Sequence, residues 1–119
     1  TVILIGGVVN NNSSSVTGLL SEQIIQELHI QKAFVSCSGF SLERGMTEVH
    51  FAEAQLKKKA IESSREVIAI LDSSKIGKED LTPLARVEQI SRLITDDGLS
   101  VDWIEKLKQA QIEFTLCKE

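Results

Sequence analysis

Val67-Ile68-Ala69-Ile70-Leu71, followed at once by Asp72-Ser73-Ser74-Lys75, decides how this 119-residue chain is read. An unbroken apolar run that ends in a polar turn suits a strand covered on both faces, because such strands of a parallel sheet lose the in–out alternation. Similar runs occur at Val2 to Ile5 and Ala33 to Cys37, with a weaker one at Leu93 to Thr95 and a fifth candidate at Glu113 to Leu116. Helical spacing fills the gaps. Leu20, Ile24 and Leu28 recur four apart and form one stripe, and the stretch Phe51 to Ser64 carries an arc of Ala54, Leu56, Ala60 and Ile61. Ser100 is a predicted N-cap, ahead of Asp102 and a side lined by Trp103, Ile104, Leu107 and Ala110. The resulting order is strand, helix, strand, helix, strand, loop, strand, helix, strand. This predicts an α/β domain, a largely parallel sheet flanked by helices, with Pro83 in a surface loop.

Composition narrows the function. With 42% hydrophobic and 25% charged residues the chain is globular, and its length fits one core. The 13 Lys+Arg and 17 Asp+Glu give a net charge of −4, which opposes a stand-alone DNA-binding module. No apolar run approaches the roughly 20 residues of a transmembrane helix, and Thr1 to Ile5 lack the basic leader of a secretory signal. Because no initiating Met is present, the chain is expected to be a piece of a longer protein. Cys37 and Cys117 are expected to be buried, reduced thiols, which points to the cytoplasm. His29 and His50 have no partner at ligand spacing, so no metal site and no cofactor are predicted.

Four constellations could carry chemistry. Glu53 and Lys57, four apart, fall inside the apolar arc of their helix; they form either an idle ion pair at its edge or the wall of a polar pocket. Lys58 and Lys59 lie on the opposite, solvated face. Asp72-Ser73-Ser74-Lys75 ends a strand, where ligands of open α/β sheets settle, although Asp and Ser are also ordinary turn residues. Gly6-Gly7 and the loop Asn10 to Ser15 lead through Gly18 into the first helix, as an anion cradle or a mobile hairpin. Neither a Walker loop nor a G-x-G-x-x-G fingerprint is present. Finally Ser36-Cys37-Ser38-Gly39 ends the second strand and runs through Glu43, Gly45, Met46 and Thr47 to Phe51. Small and hydroxyl-bearing residues at three strand ends, with a Lys, describe a pocket for a polyhydroxylated anion.

The same residues, in this order and spacing, resemble the C-terminal effector-sensing domain of DeoR-type transcriptional regulators. The resemblance runs from Gly6-Gly7 through Ala33 to Phe40, Gly45-Met46-Thr47, Glu53-Ala54, Lys57 and Asp72 to Gly77, and ends at Ile94-Thr95-Asp96. It implies a fold similar to ribose-5-phosphate isomerase, glucosamine-6-phosphate deaminase and CoA transferases. It further implies a phosphorylated sugar or related metabolite as effector, a homo-oligomer, and operator DNA bound only by a separate N-terminal winged helix-turn-helix, so that residues 1–119 form the sensing domain alone. Carried over by position, Gly7, Ser14 and Ser15 would sit at the phosphate and Lys75 would approach it. Gly39, Thr47, Glu53 and Lys57 would shape the pocket. The related deaminases place Asp and His within the segment matching Ser38 to Thr47; here Ser38, Gly39 and Phe40 stand there without a His, so binding without catalysis is expected. The rivals are an isomerase- or deaminase-type enzyme of the same fold, a purely structural oligomerisation domain with a vestigial pocket, and a response-regulator receiver. The last is disfavoured because Gly6-Gly7 stands where receivers need an acidic pair.

Overall fold

The computed structural model describes residues 1–118. Its centre is a four-stranded parallel sheet of β3 (Ile30–Val35), β6 (Ser64–Ile70), β8 (Arg92–Asp96) and β9 (Phe114–Cys117), adjacent in that order. A hairpin of β1 (Val8–Asn10) and β2 (Ser15–Thr17) and helix α1 (Leu19–Gln26) precede it. A second, antiparallel sheet joins β4 (Gly39–Ser41), β5 (Gly45–Glu48) and β7 (Thr82–Ala85). Helices α2 (Phe51–Glu62) and α3 (Val101–Gln109) complete the domain.

The strand order explains the layering. Right-handed crossovers that step in one direction along a parallel sheet all pass over the same face. Here β3, β6, β8 and β9 are laid down in spatial order, so every connection between them falls on one side. Ala33, Val35, Val67, Ala69, Leu71, Leu93 and Thr95 point to that side and are buried, together with Ile61 of α2 and Leu107 of α3. The intervening residues face the other side: Phe34 is 63% and Ile70 42% exposed, while Ile68 and Ile94 are half-buried. The continuous apolar runs therefore mark strands apolar on both faces, of which the described residues cover one.

Three further expectations change. Val2 to Ile5 form no strand; Val2, Ile3 and Leu4 stand exposed, with no strand paired to them among the described residues. The stripe of Leu20, Ile24 and Leu28 is likewise exposed, and the residue α1 buries is Ser21, whose hydroxyl donates to the Gly6 carbonyl at 2.6 Å. Pro83 lies in β7, not in a loop. It is exposed on a strand bonded on one side only, where a missing N–H costs no ladder hydrogen bond, and its neighbours Thr82 and Leu84 are buried.

The antiparallel sheet arises from a tight reversal. Gly45 takes φ +71 and lies against the backbone of Ala85 and Arg86, which a Cβ would obstruct, and Ser41 Oγ accepts the Arg44 N–H at 3.0 Å. The turn lets Phe40 and Met46 pair and bury completely. Ser100 caps α3 as predicted, accepting the Trp103 N–H at 3.2 Å; Leu107 is buried, Trp103 and Ile104 are half-buried, and Ala110 is exposed. Cys37 is buried, and burial pushes its thiol up to about 11. Cys117 is exposed, because it occupies the outward position paired with Asp96 on β8.

Candidate functional site

The carboxyl ends of the parallel strands are organised by Asp96, the last residue of β8. One carboxylate oxygen accepts the Ser73 N–H at 2.6 Å, and the other accepts the Ser73 hydroxyl at 2.7 Å and the Gly98 N–H at 2.9 Å. The Ser73 backbone N–H, then its hydroxyl, hold the Asp96 carboxyl below the usual carboxylate range. Asp96 thereby fixes the 3-10 turn Ser73–Lys75 to the end of the neighbouring strand, and Asp72 caps that turn by accepting the Ser74 N–H at 3.0 Å. Ordinary turn chemistry thus shapes this tetrapeptide, and it leaves Lys75 half-buried with no ion pair among the described residues.

The chain next turns back onto the smaller sheet. Ile76 bridges Phe40, and the Gly77 N–H donates to the Phe40 carbonyl at 2.7 Å. Lys75 and Gly39 are thus the immediate neighbours of a paired couple. Gly39 and Thr47 are themselves paired, and both are buried. The Thr47 hydroxyl donates to the Gly39 carbonyl at 3.3 Å and accepts the Asp80 N–H at 2.9 Å, so it is engaged within the fold.

A cavity of about 280 Å³ lies between the hairpin and α2, walled by Ser13, Ser15, Thr17, Glu53, Leu56 and Lys57. The Ser15 hydroxyl donates to Glu53 at 2.9 Å across 38 residues of sequence. The hydroxyls of Ser13 and then Ser15 hold the Glu53 carboxyl below its ordinary range. Lys57 does not pair with Glu53. Its ammonium stands 3.6 Å from the carboxylate of Glu48, a buried residue at the end of β5 that also accepts the Ser38 N–H at 2.9 Å. Glu53 and Lys57 thus do not pair with each other, and both line the cavity.

The structure therefore brings Ser15, Glu53 and Lys57 to one cavity, and Gly39, Thr47 and the Lys75 turn to another cluster. Ser14 is exposed at the hairpin tip with φ 51. Gly7 serves the packing of α1: a Cβ there would press on Ser21 and stand 2.7 Å from the Thr17 carbonyl. Sequence reasoning missed Glu48 and the anchoring role of Asp96. Glu48 gave no signal, since one acidic residue after Thr47 reads as surface. His29 and His50 are exposed, and neither lines the cavity.

A parallel sheet with polar clusters at its strand ends defines an α/β domain built to hold a small ligand at that rim. The family model described as the DeoR C terminal sensor domain matches residues 1–97, and the chain belongs to that family. It is 36% identical, over 97% of its own length and 45% of the relative's, to the uncharacterized HTH-type transcriptional regulator YulB of Bacillus subtilis. It is 30% identical, over 99% of itself and 44% of the relative, to a putative aga operon transcriptional repressor of Escherichia coli O157:H7. A lactose phosphotransferase system repressor of Streptococcus mutans is 36% identical over 80% of this chain and 38% of that protein. The chain thus spans less than half the length of these relatives, all named as regulators and none as an enzyme. No helix among the described residues is long and apolar enough to cross a membrane.

Proposed function

We propose that this chain binds a phosphorylated sugar or related metabolite and passes that occupancy to a DNA-binding domain elsewhere in a DeoR-type repressor. The observation that carries the reading is the cavity between the hairpin and α2, where hydroxyls, a carboxylate and an ammonium from widely separated stretches meet. Hydroxyls and a carboxylate suit a polyol, and Lys75, free of ion pairs among the described residues, suits its phosphate. The relative named for the lactose phosphotransferase system supports a sugar-derived effector. In this reading Ser15, Glu53 and Lys57 shape the polyol end, Gly39 and Thr47 shape the end nearer Lys75, and Ser14 and Gly7 contribute through the hairpin they hold.

The domain acts without chemistry on its ligand. An effector that prefers one arrangement of a homo-oligomer shifts that population by its differential affinity, and with it the spacing of N-terminal winged helix-turn-helix domains on operator DNA. The test is a thermal-shift panel of phosphorylated sugars against their unphosphorylated parents. A cognate ligand at about 100 times its Kd adds about 2.7 kcal/mol, and Lys75→Ala is expected to abolish the difference between phosphorylated and parent sugars. An unchanged response in Lys75→Ala, or conversion of ribose-5-phosphate by the chain, would overturn the reading.

A further inference from the structure

The two lysines near the candidate site keep different company. Lys75 has no ion pair among the described residues, whereas Lys57 is held 3.6 Å from Glu48. Glu48 is 5% exposed, and a carboxylate so buried is tolerated only with hydrogen bonds and a counter-charge. It finds one of each: the Ser38 N–H at 2.9 Å, which also donates to the Thr47 carbonyl at 3.1 Å, and the Lys57 ammonium. Of these only Lys57 lines the cavity, where it would seize an incoming anion, and Glu48 already engages it. One helical turn before Lys57, Glu53 brings a second carboxylate, bound by Ser15. Two carboxylates around one ammonium leave this end of the cavity net negative, which attracts hydroxyl donors and repels a phosphate dianion.

We propose that Glu48 is a specificity-determining residue: by engaging Lys57 it reserves this end of the cavity for the uncharged, hydroxylated part of the ligand and rejects a second phosphate. The inference rests on the sugar-phosphate reading, with the single phosphate at Lys75.

The experiment is calorimetric titration of the 119-residue chain and its variants with inorganic phosphate. Glu48→Gln, which keeps an acceptor for the Ser38 N–H and frees the Lys57 ammonium, is expected to tighten phosphate binding about tenfold, and Glu48→Gln with Lys57→Met to lose that gain. No gain in a folded Glu48→Gln, or a gain that survives the second substitution, overturns the proposal. If Glu48→Gln does not fold, Glu48→Met, which removes the same charge, decides the matter by the same readout. The parent reading fails separately, when no phosphorylated sugar raises the melting temperature of the unsubstituted chain.

Discussion

The two faces of the parallel sheet are built from the same runs of sequence and have opposite surroundings. On β8, Leu93 is fully buried, while on β3 Phe34 is 63% exposed between buried Ala33 and Val35. The difference lies in topology rather than composition: strands laid down in one direction place every crossover on one face. Apolar content in a strand thus reports what a face can bury. Which face is buried depends on where the chain goes next.

The largest expected effect comes from removing a side chain on the covered face. Leu93→Ala should cost about 2 to 5 kcal/mol in denaturant unfolding, because the cavity left behind adds to the lost burial. The cysteines sharpen the contrast by chemistry. Cys37 is on the covered side with its thiol pushed up to about 11, and Cys117 is on the open side. Alkylation at pH 8 followed by mass spectrometry should label Cys37 on the order of a hundredfold more slowly than Cys117, since only thiolate reacts and access is restricted. Equal rates would show that the covered face opens readily.

Asp96, at the rim between the faces, gives a smaller, pH-dependent effect. Its folded carboxyl is held low by the Ser73 N–H and hydroxyl, so the stability it contributes is present above its unfolded value, near 3.9, and is lost as pH falls through the folded value. Thermal melts between pH 7 and pH 3 should show a drop on acidification that Asp96→Asn flattens. Phe34→Ser should change the stability of this chain least, by about 0.5 kcal/mol or less. A loss as large as that of Leu93→Ala would mean that the open face is covered in solution.

The sequence carried the parallel strands because unbroken apolar runs such as Val67 to Leu71 have few other uses, and it carried α3 because Ser100 and Asp102 mark its start. The antiparallel sheet was hidden. Its strands are three and four residues long and rich in Gly, Ser and Thr, so Gly39–Ser41 and Thr82–Ala85 read locally as loops, and only distant partners make them strands. Val2 to Ile5 shows the reverse, a strand-like run without a neighbouring strand among the described residues. In the candidate site, Ser15 and Glu53 were legible as types, but their pairing spans 38 residues and no local pattern encodes it. Glu48 was invisible for the same reason, since its meaning comes from Lys57 and Ser38.

Trp103 is the one tryptophan of the chain. Its indole lies against the turn at Gly77, where a Cβ would stand 3.5 Å from the ring, and the Lys106 ammonium sits 4.9 Å from the ring centroid. Since Gly77 follows Lys75 by two residues, the protein contains its own optical probe, and any rearrangement of that loop should change the wavelength or yield of indole emission without an added dye.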